Sequence, residues 1–396
     1  MTAADACPGI LDLHEARDGL VARIRLPGGY VTGPRLRDLA ALASRFGNGC
    51  VDLTSRGNVQ VRGVAAGQAD GLARRAASAG LLPSPTHDRA RNITASPLAG
   101  LAGHPHLRGL VHAVDRALRA DPGLAALPGR FLFCLDDATG RAGLSGCDVG
   151  LRWHPHGADL VLAGRQTGLR GPAGRAVTQA IAAARAFLQQ RQAAPDSGRM
   201  AGLPDGGAAV ATAVGGALGD RVQDVVGRLP LGPVVDGAVT DAAPVVVVAA
   251  PLARLTVPQL RLLGRKVRPG ETARLAAAGR MVLPLAEPVD AALAELADAG
   301  LLVSDGHRLS AVTACSGNSC ARSLADVRSL AVGVVGMGPG VAGMGPGFAG
   351  MGPGFAGMGP VHWAGCSRRC GLPADATAMV AVSADQFTLT AAAGPG

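Results

Sequence analysis

Residues 32–39 read TGPRLRDL and residues 256–263 read TVPQLRLL, one T-x-P-x-L-R-x-L pattern written twice in a single chain. Each copy opens as a helix opens, with threonine placed to cap the first turn and proline inside it, where its missing N–H costs nothing. An arginine follows each threonine after 24 positions, Arg56 and Arg280. Each arginine stands beside a strand-like run, VQVRGV at 59–64 and MVLPL at 281–285. Further along, AGLLPS at 79–84 matches AGLLVS at 299–304, and Thr94-Ala95-Ser96 falls opposite Thr313-Ala314-Cys315.

The runs LVARIRLPG at 20–28 and APVVVVAA at 243–250 supply a first strand to each copy. Each copy thus reads strand, helix, two strands, helix, then a polar segment opening a second α/β unit. The expected fold is α+β and duplicated about a pseudo-twofold, so a ligand on the axis would touch both halves. The units are expected at 15–85, 86–191, 224–304 and 305–396. An Ala/Gly/Pro-rich stretch at 192–223 reads as a flexible linker, and 336–360 as a low-complexity loop.

At 396 residues the chain can bury a substantial core. Its formal charge of +9 comes from 38 Lys and Arg against 29 Asp and Glu, and nearly all of the cations are arginine. This balance suits an anionic partner, and arginine in particular suits two-pronged recognition of carboxylates. Tyr30 is the sole tyrosine, with two Trp and seven Phe, so a stacking platform for nucleic acid is missing and no nucleic-acid partner is expected. No apolar run reaches the roughly 18 residues of a membrane span, and the best candidate, 242–255, is broken by Pro251 and reads as a buried strand. The start, MTAADACPGILDLHEARDG, has no basic stretch leading into an apolar one. A cytoplasmic location without a membrane partner is therefore expected, where eight cysteines serve as thiols or ligands rather than disulfides.

Cysteine pairs occur only in the second copy. Cys315 and Cys320 bracket Ser-Gly-Asn-Ser, and Cys366 and Cys370 bracket Ser-Arg-Arg. Four thiolates on short glycine-containing loops suit an iron–sulfur cube, and Arg368 and Arg369 favour the thiolate. The same spacings are compatible with zinc. Cys7, Cys50, Cys134 and Cys147 stand alone and read as small buried residues. Between the pairs, Met337, Met344, Met351 and Met358 recur every seven residues, but glycine and proline in each unit exclude a helix. The segment reads as a surface loop, with a soft Cu(I) site as the lesser reading. His104-Pro-His106 and His154-Pro-His156 read as solvated loop histidines without a carboxylate partner.

Four stretches together, LTSRGNVQVRG at 53–63, RNITASPLAG at 91–100 and the two cysteine pairs, resemble the sulfite/nitrite reductase superfamily. ACPG at 6–9 followed by ARIRLPGG at 22–29 resembles, within it, the precorrin-3B synthase family. The resemblance implies two ferredoxin-like half-domains and two larger α/β domains. It places Arg56, Gln60, Arg62 and Arg91 against an acidic tetrapyrrole and a 4Fe-4S cluster on Cys315, Cys320, Cys366 and Cys370. No catalytic group is legible.

The implied activity is O2-dependent hydroxylation of precorrin-3A at C-20 with lactone formation, a step of aerobic cobalamin biosynthesis. A mononuclear non-haem iron would activate O2, and NADH would be the reductant. With no G-x-G-x-x-G after a strand, the electrons would come through a separate donor protein. The sequence departs from the superfamily at Arg130-Phe131-Leu132, where the reductases carry K-x-K, and at the first cysteine pair, C-x4-C for C-x5-C. A siroheme-dependent sulfite or nitrite reductase and a non-catalytic cluster-binding scaffold are the alternative readings.

Overall fold

A computed structural model of the chain describes residues 7–101, 103–225, 227–234, 244–336 and 359–390. The repeated helices form as their sequence dictates. In α1 (Gly33–Phe46) the Thr32 side chain accepts from the Arg35 amide, and Leu36, Leu39, Ala40, Leu42 and Ala43 make one buried face. In α6 (Val257–Lys266) Thr256 and Gln259 close a full capping box. Lys266, the sole lysine of the chain, ends this helix, and its buried ammonium is held by Glu287 (2.7 Å) and Glu295 (2.9 Å).

In chain order the first half contains β1 (His14–Ala16), β2 (Gly19–Ile24), β3 (Tyr30–Val31), α1, β4 (Cys50–Leu53), β5 (Val59–Val64) and α2 (Ala69–Ser78). The first larger domain follows with β6 (Ile93–Ala95), α3 (Arg108–Arg119), β7 (Phe133–Asp136), β8 (Val149–His154), β9 (Gly157–Leu162), β10 (Arg165–Gly171) and α4 (Ala173–Arg191). After α5 (Ala208–Ala213) and β11 (Gly232–Pro233), the second half repeats the first with β12 (Val245–Ala249), β13 (Arg254–Thr256), α6, β14 (Ala273–Leu275), β15 (Arg280–Pro284) and α7 (Val289–Asp298). The last domain has β16 (Val312–Ala314), α8 (Val327–Gly336), β17 (Val361–Ala364), β18 (Thr377–Ala381) and β19 (Phe387–Thr390).

The halves exchange strands. The first sheet runs β1-β2-β5-β4-β13 and the second β11-β12-β15-β14-β3, so each is completed by a strand of the other half. Between the sheets α1 packs on α6 at Gly33 and Gly264, where a Cβ on Gly33 would lie 2.5 Å from the Gly264 carbonyl oxygen. The larger domains also repeat. β6, β7 and β8 run parallel before antiparallel β9, as β16, β17 and β18 do before β19.

Strand register corrects the repeat at one point. Ala22 pairs with Val61 as Val246 pairs with Leu283, and Tyr30 pairs with Arg274 as Arg254 pairs with Asp52. Arg56 therefore corresponds to Ala278, and Arg280 to Asn58. The equal spacing of 24 is coincidental, because α6 is four residues shorter than α1 and the path from its end to the equivalent strand residue, Lys266 to Arg274 against Phe46 to Asp52, is only two longer.

The stretch 192–223, expected as a flexible linker, instead carries α5 and buries Met200, Leu203, Val210 and Ala211 against α4 and its sheet. The run at 245–249 is a fully buried strand, as expected. Among the described residues no helix is long and apolar enough to cross a membrane. The four methionines of the heptad repeat lie outside the described residues. Replacing Gly33 by valine should cost about 2 kcal/mol or more of stability, because the facing atom is backbone and cannot yield. Urea unfolding of the two proteins measures it.

Candidate functional site

A cavity of about 340 Å³ opens between the first sheet and the loops that leave β16 and β17, and all four paired cysteines line it. Cys315 follows β16 and Cys366 follows β17, at the carboxyl ends of adjacent parallel strands, where α/β sheets present ligands. Backbone amides address the first sulfur. Cys315 Sγ accepts from the amides of Gly317 (3.4 Å) and Gly365 (3.2 Å). Gly317 is left-handed at φ 58°, and a Cβ on Gly365 would fall 1.9 Å from Ser323 Oγ. Both glycines are thus required by the turns that carry the thiols.

The second pair is tied to the first through His362. This buried ring takes Thr313 Oγ1 at Nδ1 (2.9 Å) and donates from Nε2 to the Cys370 carbonyl (3.1 Å). Burial pulls the imidazole down to about 4, which keeps it neutral in the tautomer this bridge needs. Burial and then the neighbouring Cys366, Cys315 and Cys320 push the Cys370 thiol up, and Arg368 opposes them. Among the described residues no three His, Cys, Asp or Glu side chains converge as ligands of one ion. All four thiols line the one cavity.

The facing wall is the surface of β2 and β5. Gln60 and Arg62 line the cavity, as does Arg23 on the neighbouring strand, which sequence reasoning missed. With its amide oriented by its hydrogen bonds, Gln60 takes Arg23 Nε (3.2 Å) and Nη2 (2.7 Å). Period-two alternation along ARIR was the available signal, since it puts Arg23 and Arg25 on one face. Arg25 is 2% exposed, donates Nη2 to the Gly129 carbonyl (3.3 Å), and leaves Nε and Nη1 without a hydrogen-bond partner. Burial first and Arg23 second press its pKa down to about 9. Such a cation calls for an anion.

Two of the expected ligand residues stand elsewhere. Arg56 lies off the cavity wall and donates to the Arg130 carbonyl (3.2 Å), and burial followed by Arg199 lowers its pKa. Arg91 is buried and forked onto Asp115 (2.7 and 3.3 Å), a structural ion pair that Arg119 shares. The His-Pro-His motifs also differ from expectation, because each has a carboxylate. His104 Nδ1 lies 3.3 Å from Asp137 Oδ2, and His154 Nε2 lies 2.6 Å from Asp159 Oδ2. Neither joins the cavity wall. Of the isolated cysteines, Cys134 and Cys147 are buried as expected, whereas Cys7 and Cys50 are half-buried.

Residues 14–79 match the nitrite/sulfite reductase ferredoxin-like half domain. The chain superposes on the NirA protein of Mycobacterium tuberculosis with a TM-score of 0.70 at 20% identity, covering 89% of this chain and 69% of that one. The chain therefore has the α+β nitrite/sulfite reductase fold, and residues 14–79 are a half domain of that class. Among its relatives, a precorrin-3B synthase of Sinorhizobium sp is 41% identical over 69 residues, 17% of this chain and 15% of that protein. A ferredoxin–nitrite reductase of Leptolyngbya laminosa is 35% identical over 117 residues, 28% of this chain and 23% of the other. These matches span less than a quarter of either relative's length.

Gly365→Ala should destabilise the cysteine-bearing turn by about 2 kcal/mol, and Ser323→Gly in the same chain should restore part of it. Thermal unfolding of the single and double variants measures both.

Proposed function

We propose that the chain is an oxidoreductase acting on an acidic tetrapyrrole, with a 4Fe-4S cluster on Cys315, Cys320, Cys366 and Cys370. The observation that carries this reading is the shared cavity, where four thiols face a wall of arginines. A bound cluster supplies single electrons. The protein's own part is to hold and tune it, through the amides of Gly317 and Gly365 on one sulfur and the His362 bridge behind another. Arg25 and Arg56 pin the Gly129–Arg130 backbone, and the Arg23 guanidinium on the cavity wall suits a carboxylate.

Within this class the reading supported best is precorrin-3B synthesis. One atom of O2 enters precorrin-3A at C-20 and the other leaves as water, two electrons from NADH completing the balance. Two observations support it. The precorrin-3B synthase of Sinorhizobium has the highest identity of the relatives named above. Leu132 is buried among Leu144, Val161 and Cys134 where the resemblance sets a proton-donating lysine, which disfavours a reduction needing many protons. The longer match to a nitrite reductase favours the second reading, a siroheme-dependent reductase.

Optical spectra with iron and acid-labile sulfide analysis on anaerobically purified protein separate these. A broad iron–sulfur absorbance without tetrapyrrole bands, followed by O2-dependent turnover of precorrin-3A, is the expected result. Siroheme bands would move the assignment to the reductases, and protein free of iron would sink both. Cys366→Ala should lose iron and sulfide together. Arg23→Ala, on the cavity wall, should leave the cluster in place and weaken tetrapyrrole binding about tenfold or more, read by titration of the macrocycle absorbance.

A further inference from the structure

Arg62 lines the cavity, yet its donors are committed to protein. Nε and Nη2 fork onto Asp18 (3.1 and 2.9 Å), Nη2 also reaches the Ser319 carbonyl (2.8 Å), and Nη1 reaches Ser316 Oγ (3.3 Å). Ser316 and Ser319 belong to the loop between Cys315 and Cys320, more than 250 residues away in sequence. Beside them, the Arg17 amide donates to the same Ser319 carbonyl (3.1 Å) and Arg17 Nη2 to the Ala321 carbonyl (3.3 Å). The Arg62 Nε also lies 3.9 Å from Asp52 Oδ2, a carboxylate itself forked by Arg254 of the second half.

We propose that Arg62 is a positioning residue that clamps the Cys315–Cys320 loop onto the first half-domain, and that this clamp, more than any contact with the tetrapyrrole, is its role. The loop needs one. Past β16 it has a single 3-10 turn at Gly317–Ser319, and Arg17 and Arg62 supply hydrogen bonds that fasten it to the first half. A guanidinium can serve Asp18 and two loop oxygens at once because its donors diverge in one plane, which an ammonium cannot copy. The proposal rests on the cluster assignment for its meaning and on the loop geometry for its test.

The test uses the full, metal-free, reduced chain, with iodoacetamide labelling rates of each cysteine resolved by mass spectrometry. Arg62→Gln should raise the rates at Cys315 and Cys320 about tenfold or more, since two charge-assisted bonds to the loop are lost. Cys366 and Cys370 should change less than about twofold by the same reasoning. Arg62→Lys should not restore protection, and Ser316→Ala, a milder variant, should accelerate the same two thiols by less. Unchanged rates at Cys315 and Cys320, or equal acceleration of all four, would overturn the clamp. After reconstitution with iron and sulfide, Arg62→Gln should shift the cluster midpoint potential. Failure of the wild-type chain to take up a cluster would sink the proposed function, while the labelling rates still decide the clamp.

Discussion

Everything in this fold depends on the exchange of one short strand between its halves. Tyr30–Val31 completes the second sheet and Arg254–Thr256 completes the first, so neither half closes its own sheet edge. An unpaired edge is an open template for wrong partners, and here the right partner is always the same chain. The α1–α6 contact at Gly33 and Gly264 brings the two backbones close enough to seal the exchange, and one apolar core runs through both halves. The cavity is a consequence, because a fused pair of sheets presents a fixed surface against which the cysteine loops can dock.

Duplication makes two equivalent positions, one lined by the paired cysteines and the other packed with apolar side chains. Where Gly365 donates its amide to Cys315 Sγ, the first larger domain has Asp137 donating to Ser96 Oγ, the same bond with oxygen for sulfur. Opposite that position, Val247 and Val282 replace Arg23 and Gln60, and Leu101 and Leu229 fill the space as apolar core. The Arg254–Asp52 ion pair of the cavity side has as its counterpart the Arg274 guanidinium over the Tyr30 ring. The equivalent position is lined with hydrocarbon, which needs no ligand to satisfy it.

Much of this could be read from residues alone, and what escaped did so for definable reasons. The helix caps, the strand at 59–64, the buried run at 245–249 and the cysteine pairs follow from local chemistry that acts within a few positions. The two-residue slip between Arg56 and Arg280 escaped because helix length and connection length compensate incompletely, and a spacing count cannot see either. The partners of Arg91 and Arg62 escaped for a different reason. Asp115 lies 24 residues from Arg91 and Ser319 lies 257 from Arg62, so their ion pairs and clamps exist only once the chain has folded. The segment at 192–223 looked like linker by composition, yet alanine and glycine also suit a tight helix contact, and Met200 supplies the bulk.

Lys266 has a consequence beyond its helix. With that one amine held by two glutamates, the remaining basic charge of the protein is guanidinium. Acetylation, the common way a cell erases positive charge, has a single side chain to act on and finds it occupied. Ordinary swings in acidity do not discharge an exposed arginine either. The positive side-chain charge of this protein is thus almost wholly guanidinium, set at translation and out of reach of lysine acetylation.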